Sequence, residues 1–171
     1  DFCLSRGLGD VYKRQDQQWI PVHKSWRLNE RHYGGLQGLN KDDARKKWGE
    51  DQVHQWRRSY DVRPPRESEE QREAYLKNRR YQHIDHRMMP YCESLKDTLE
   101  RVVPFWTDHI SQHLLDDKTV LVSAHGNSIR ALIKYLEGLS EEDIVGYEIK
   151  TGAPLVYELT DDLVVKDKYY L

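Results

Sequence analysis

The sequence predicts an α/β layered fold, in which helices alternate with buried strands. Three neighbouring stretches support this prediction. Between Glu93 and Leu114, apolar residues recur every three or four positions, as in an amphipathic helix. The nearly continuous apolar run Thr119–Ala124 is typical of a strand buried on both faces. A second amphipathic stretch, Asn127–Glu137, follows directly and is ended by Gly138.

The chain is expected to begin with a segment that is not part of the domain. Residues 1–15, DFCLSRGLGDVYKRQ, show neither helical nor strand periodicity, so we expect a non-native or disordered segment there. The domain is then assigned to residues 16–171. The apolar stretch 19–26 predicts a strand, which Pro21 restricts to a sheet edge or a strand end.

The next segments are assigned from their breaking residues. Three glycines interrupt residues 28–41, which predicts a loop. Residues 42–58 are predicted to form a helix, and Pro64-Pro65 interrupts the segment after it. Residues 66–90 are dense in charge and poor in apolar residues, so we expect a surface excursion.

Capping and turn residues refine the C-terminal half. Ser94 and Asp97 have the spacing of a capping box, and Pro104 predicts a kink in the helix that they begin. Two strands joined by an Asp-Asp turn are predicted at the end of the chain, over residues 155–159 and 163–171.

Composition limits the class of protein. Charged residues make up 33% of the 171 residues, and no apolar run approaches the roughly 20 residues of a membrane span. The net charge of −2 argues against a general field for nucleic acid. Cysteine occurs at Cys3 and Cys92 alone, so no disulfide framework is expected, and a reducing cytoplasmic location is the default.

His125 lies where the predicted buried strand meets the following helix. In such sheets ligands bind beyond the carboxyl ends of strands, and the free N–H groups at a helix N-terminus attract anions. Gly126 lets an anion approach the backbone, and Asn127 can cap the helix or donate to the anion. These residues predict a phosphate site, and the alternative is a histidine packed in a strand-to-helix turn.

Two further sets of residues can carry chemistry. Glu30 lies in a glycine-flanked loop and can act as a general acid–base if the fold places it beside cations; the alternative is a solvated loop. Lys41, Arg57 and Arg58 flank a helix, and adjacent arginines suit bidentate capture of carboxylate or phosphate; the alternative is a solvated basic face. Other basic residues are expected on a solvated face: Arg72, Lys77, Arg79, Arg80 and Arg87.

Two histidine pairs have spacings found in metal sites. They are His83 with His86, and His109 with His113. Neither pair has an obvious third ligand beyond Asp85, and structural metal sites need a closed ligand set, so no metal is expected.

Several segments together resemble the cofactor-dependent phosphoglycerate mutases of the histidine phosphatase superfamily, over about residues 16–171. The most specific are ERHYG with LQGLNK and AHGNSIRALIKYL, and QWRRSYDVRPP, ESLKDTLERVVPFW and TGAPLVYEL also match. The resemblance implies a three-layer α/β/α sheet. It implies interconversion of 2-phosphoglycerate and 3-phosphoglycerate through a phosphohistidine, primed by 2,3-bisphosphoglycerate. It also implies a cytoplasmic homo-oligomer with small phosphorylated substrates and no nucleic-acid or membrane partner.

The resemblance assigns roles residue by residue. Glu30 matches the family's general acid–base, and His125 matches the active-site histidine that contacts the transferring phosphoryl group. Substrate-binding residues are matched by Tyr33, Lys41, Arg57, Arg58, Gly126 and Asn127.

The family's Arg-His-Gly motif, whose histidine is the nucleophile, has no match in this sequence. We therefore expect the chain to lack the family's first strand and following helices, with residues 1–15 standing in their place. Such a chain would be catalytically incomplete, and the missing central strand would leave an exposed sheet edge.

Two alternative functions stay open. One is another activity of the same superfamily, a bisphosphoglycerate synthase or a phosphatase. The other is a non-catalytic module that binds anions or nucleic acid through the basic stretch 57–87. Tyr60, Tyr75 and Tyr81 could stack bases there, but the surrounding glutamates oppose this interpretation.

Overall fold

The computed structural model describes Asp16 and residues 19–171, and the predicted foreign segment 1–15 lies outside the described residues. Helices combined with a small sheet confirm the α/β class. The α-helices of the described residues are α1 Lys41–Trp48, α2 Glu50–Arg58, α3 Glu69–Leu76, α4 Leu95–Phe105, α5 Ser111–Leu115, α6 Gly126–Glu137 and α7 Glu141–Gly146. The strands are β1 Leu155–Leu159 and β2 Val165–Tyr170.

The strand predicted within residues 19–26 is wrong. This stretch is irregular, ends in a 3-10 turn at Trp26–Leu28, and pairs with no other described segment. Trp19 and Val22 are exposed, Ile20 and Trp26 are half-buried, and none of the four belongs to a hydrophobic core cluster. The loop predicted for residues 28–41 is confirmed, apart from its last residue, which begins α1.

The single helix predicted for residues 42–58 is two helices. α1 and α2 meet at Gly49, whose φ of 84° is a conformation that glycine adopts readily and other residues rarely do. The break lets Trp48 and Trp56 meet edge to face, with ring centroids 5.8 Å apart. Ala44 and Val53 are buried in a small cluster between the two helices.

α4 and α6 pack against each other and form the main core, as their apolar spacing predicts. The capping box is formed, because Ser94 Oγ accepts from Asp97 N at 3.2 Å and the Asp97 carboxylate accepts from Ser94 N at 2.8 Å. Directly after Pro104, where a kink is predicted, the helix changes to a π-helical segment at Trp106–Ile110. The core residues are Tyr60, Leu95, Val102, Phe105, Trp106, Ile110, Ala131, Leu132 and Ile144.

The strand predicted to be buried on both faces at Thr119–Ala124 is wrong. Val120 and Val122 pack against the core, but Leu121 is 69% exposed and Ser123 is exposed as well. The segment keeps the two-residue alternation of a strand. Its backbone makes no hydrogen bond with any described residue, so no ladder forms and one face stays open.

The C-terminal strands and their turn are confirmed. β1 and β2 pair antiparallel, from Leu155 opposite Tyr170 to Leu159 opposite Val165, with an irregularity at Glu158. Within the described residues, β1 and β2 form a two-stranded sheet. In that same part of the chain, no helix has both the length and the apolar character that crossing a membrane requires.

The surface excursion predicted for residues 66–90 contains a buried part. Arg72, predicted on a solvated face, is 4% exposed. Its Nη1 donates to Glu67 Oε1 at 3.2 Å, and its guanidinium also donates to three backbone carbonyls. A guanidinium that has one carboxylate and three carbonyls as acceptors can be buried. The density of charged residues in the sequence does not reveal these acceptors. Lys77 and Arg87 are exposed, as predicted.

Candidate active site

A cavity of about 680 Å³ lies between the loop before α1, the helices α1 and α2, and the start of α6. Asn127 and Tyr33 on its wall are 94 positions apart in sequence, so the fold and not local sequence creates the cavity. Six of the residues predicted to bind substrate line it: Tyr33, Lys41, Arg57, Arg58, Gly126 and Asn127.

Helix ends position most of these side chains. Lys41 is the first residue of α1, and Arg57 and Arg58 are the last two residues of α2. Gly126 and Asn127 begin α6, where free backbone N–H groups and the positive end of the helix dipole favour an anion. The cavity therefore combines side-chain cations with a helix N-terminus.

Two arginines lie over the aromatic ring of Tyr33. The guanidinium carbon of Arg31 lies 4.6 Å from the centroid of the Tyr33 ring, and that of Arg57 lies 5.3 Å from it. Arg31 is 2% exposed, and its Nη2 donates to the backbone carbonyl of Arg57 at 3.0 Å. Arg31 is a site residue that was not predicted from the sequence, although its place next to Glu30 in the ERHYG motif was a signal for it.

Glu30 lies beside the cavity and is bonded to its wall. Its Oε1 accepts from Arg31 N at 2.7 Å and from Asn127 Nδ2 at 2.8 Å. Asn127 Nδ2 also donates to the Tyr33 hydroxyl at 3.0 Å. The suggestion that the Asn127 side chain caps α6 is wrong, because His125 is the N-cap residue, Asn127 lies inside the helix, and its Oδ1 accepts from Arg130 Nη1 at 3.4 Å.

His125 is the N-cap residue of α6, and its backbone carbonyl accepts from Ile129 N at 2.9 Å. The residue is exposed and does not line the cavity, whereas Gly126 and Asn127 after it do. A Cβ added at Gly126 would meet no atom within 4 Å. The backbone at this position is therefore open to an approaching group.

Arg130 is a cavity residue that sequence analysis missed. It lies one helical turn after Asn127, and this i, i+3 spacing was a signal for it. It is 8% exposed, Nη2 donates to Val145 O at 3.1 Å, and Nε has no hydrogen-bond partner among the described residues. Burial lowers the pKa of Arg130, and the nearby cations Arg58 and Arg31 lower it further.

Cations outnumber carboxylates on the cavity wall. Among the described residues, the wall carries one carboxylate, that of Glu50, and five cations: Lys41, Arg45, Arg57, Arg58 and Arg130. Such a site suits an anion with more than one negative group, such as a phosphorylated carboxylate. The remaining wall residues that sequence analysis missed are Val53, His54 and Thr151.

The histidine pairs considered as metal ligands stay separate from this cavity. No group of three or more His, Cys, Asp or Glu side chains that could hold a metal ion comes together in the part of the chain described by the structure.

Comparisons with known proteins point to one family. The family model for the histidine phosphatase superfamily (branch 1) matches residues 11–78 and 65–169. A 2,3-bisphosphoglycerate-dependent phosphoglycerate mutase of Staphylococcus epidermidis (strain ATCC 12228 / FDA PCI 1200) is 99% identical over 156 residues, which are 91% of this chain and 68% of that protein. A protein of the same name from Staphylococcus aureus (strain Newman) is 83% identical over 171 residues, 98% of this chain and 75% of that protein. The chain belongs to the histidine phosphatase superfamily and, within it, to the 2,3-bisphosphoglycerate-dependent phosphoglycerate mutases.

Proposed function

We propose that the cavity binds the phosphorylated substrate of a phosphoglycerate mutase reaction, the interconversion of 2-phosphoglycerate and 3-phosphoglycerate through a phosphohistidine. The observation that carries this proposal is the convergence of Lys41, Arg57, Arg58 and the N-terminus of α6 on one cavity. The names of the relatives support the reaction. We also expect a cytoplasmic location and a homo-oligomeric assembly.

Phosphoryl transfer asks a protein mainly for positioning and for neutralisation of charge on the phosphoryl oxygens. Arg57 and Arg58 are adjacent at the end of α2 and can bind phosphate or carboxylate through paired N–H groups. Lys41 adds a point charge from α1. Together with the open backbone at Gly126, they account for the recognition of a small phosphorylated acid.

Glu30 is proposed as the general acid–base. Its Oε1 is engaged by Arg31 N and Asn127 Nδ2, while Oε2 accepts no hydrogen bond from a described residue. Anchoring one oxygen leaves the other available to exchange a proton with a substrate hydroxyl.

The primer, 2,3-bisphosphoglycerate, fits the same donor set, because its carboxylate and two phosphates call for several cations around one cavity. When bound, it supplies the phosphoryl group. Lys41, Arg57 and Arg58 would hold its anionic groups, and the proposed role of His125 is to donate a hydrogen bond to the phosphoryl oxygens.

The alternative is a different activity of the same superfamily, bisphosphoglycerate synthase or phosphatase. Assays that compare mutase turnover with phosphatase turnover distinguish these activities. We expect the S. epidermidis relative to isomerise phosphoglycerate faster than it hydrolyses it. The binding module for nucleic acid is disfavoured by the buried Arg72 and by the carboxylate partners of Lys77 and Arg87.

Calorimetric titration with 3-phosphoglycerate tests the binding proposal in this chain. Arg57→Ala and Arg58→Ala should each weaken binding by about 10- to 100-fold, the worth of a charge-assisted hydrogen bond of roughly 1.5–3 kcal/mol. Arg79→Ala is the matched control, because Arg79 is exposed and outside the cavity. Equal binding by all three variants and the unaltered chain would contradict the proposal.

A further inference from the structure

The loop that carries Glu30 rests on a buried ion pair. Glu93 and Arg101 are 3% and 7% exposed, and neither lines the substrate cavity. Arg101 Nε donates to Glu93 Oε1 at 2.5 Å, and Arg101 Nη2 donates to Glu93 Oε2 at 3.0 Å. Desolvation offsets most of the attraction within a buried pair, so net stability alone does not account for it.

Arg101 and Glu93 form hydrogen bonds with the backbone on both sides of Glu30. The Arg101 guanidinium also donates to the backbone carbonyls of Arg27, Asn29 and Glu30. The distances to Asn29 O and Glu30 O are 2.9 Å and 3.2 Å. On the other side, Glu93 Oε2 accepts from His32 N at 2.7 Å, and Glu93 N donates to His32 O at 2.7 Å. Charge-assisted bonds of this kind are short and directional, so they fix the path of the loop.

A fixed backbone fixes the direction in which the Glu30 side chain leaves it. The carboxylate then meets Asn127 Nδ2 at 2.8 Å, on the helix whose N-terminus opens on the cavity. A reacting group displaced by about 1 Å can lose about 100-fold in rate, so small shifts of this loop matter. We propose that Arg101, oriented by Glu93, is a positioning residue for the Glu30 carboxylate, an inference that rests on the proposed acid–base role of Glu30.

The chain contains a matched control for this proposal. Arg72 is equally buried, is paired with Glu67, and also donates to three backbone carbonyls, those of His86, Met89 and Pro90. These carbonyls belong to a different loop. Arg72 makes no hydrogen bond to the backbone at Glu30 and reaches this loop through Glu67, whose Oε2 lies 3.4 Å from His32 Nε2. Arg72→Met therefore removes a buried clamp of the same kind while the bonds of Arg101 and Glu93 to the loop stay in place.

Amide hydrogen exchange tests the positioning in this chain. Arg31 N donates to Glu30 Oε1, so its exchange rate reports the place of the carboxylate. Relative to the amide of Ile133 in the core of α6, we expect Arg101→Met to speed exchange at Arg31 by at least about tenfold. Arg72→Met should leave this ratio unchanged. The same ratio in both variants would overturn the proposal.

Turnover is measured in the S. epidermidis relative, with the substitutions at its matching positions. R101M should lower kcat by about 10- to 100-fold and change KM less than about threefold, because the substrate-binding cations stay in place. R101K keeps the positive charge but lacks the planar guanidinium group, so it should restore part of kcat. If R101M does not fold, R101K is the variant that is compared with the unaltered enzyme. R72M should leave kcat within about twofold.

Combining substitutions separates the two proposals. If Arg101 acts through Glu30, the double variant E30Q/R101M should be no slower than Glu30→Gln alone. Unchanged kcat in E30Q would overturn both the acid–base role and the positioning role. A large loss in E30Q would leave the acid–base role standing. In that case, effects of E30Q and R101M that multiply, or an R101M loss no larger than that of R72M, would overturn the positioning role alone.

Discussion

On one side of the cavity, Glu30, Tyr33 and Asn127 are joined by direct hydrogen bonds and backed by buried charges. His125, which lies outside the cavity lining, follows Thr119–Ala124, a segment whose backbone bonds to no described residue. The bonded side (Glu30, Tyr33 and Asn127) is thus held by hydrogen bonds among described residues, whereas the open side (Thr119–His125) has an unpaired backbone edge within that part of the chain.

The largest expected effect comes from opening the bonded side. Asn127→Ala removes the donor shared by Glu30 and Tyr33, which are both half-buried, and the loss of two such hydrogen bonds costs about 1–3 kcal/mol in total, roughly 0.5–1.5 kcal/mol each. We expect a loss of stability in that range in urea unfolding, together with faster exchange at the Arg31 amide. An Asn127→Ala chain of unchanged stability would show that these bonds do not hold the wall.

A smaller effect is expected from pH. Burial lowers the pKa of His32 from its usual 6.5, although Glu67 and Glu93 oppose the shift. His32 is thus neutral in the folded chain and takes up a proton more readily when unfolded. Its contribution to stability is complete above pH 6.5 and is lost as the pH falls through the lowered value.

Urea unfolding at about pH 7.5 and about pH 5 checks this. The unaltered chain should lose more stability on acidification than His32→Asn, which keeps an acceptor for the Gly34 amide but does not titrate. Equal losses in both chains would assign the acid sensitivity to other groups.

The smallest effect is expected on the open side. Leu121 is 69% exposed, so Leu121→Glu should change the stability by less than about 0.5 kcal/mol. Because a charge on an unpaired edge disfavours edge-to-edge association, light scattering should show less aggregation. Val122→Glu is the comparison on the packed face and should cost clearly more. Equal costs for the two substitutions would contradict the one-sided packing of this segment.

Local patterns predicted the elements whose stability is local. Apolar spacing and Gly138 located α6, and the Ser94–Asp97 capping box located the start of α4. The cavity residues were found because the resemblance to a family supplied contacts between distant segments. Composition could not separate the buried Arg72 from its exposed neighbours, since its acceptors are carbonyls up to 18 positions away.

The wrong strand at Thr119–Ala124 and the wrong single helix over residues 42–58 have a common cause. An apolar run such as Thr119–Ala124 has strand propensity, but a strand exists only when a neighbour supplies hydrogen bonds. Likewise, the charge pattern of residues 42–58 runs through Gly49, and only the backbone conformation reveals the break. Both depend on tertiary partners or on dihedral angles that side-chain periodicity does not report.

We propose that this chain binds the phosphorylated substrate at Lys41, Arg57 and Arg58, while His125 stabilises a phosphoryl group and does not receive one. Intact-protein mass spectrometry after incubation with 2,3-bisphosphoglycerate tests whether His125 receives a phosphoryl group. Because the sequence holds no Arg-His-Gly motif, we expect no mass increase of one phosphoryl group. A stable phosphoryl adduct on this chain, mapped to His125, would contradict the account.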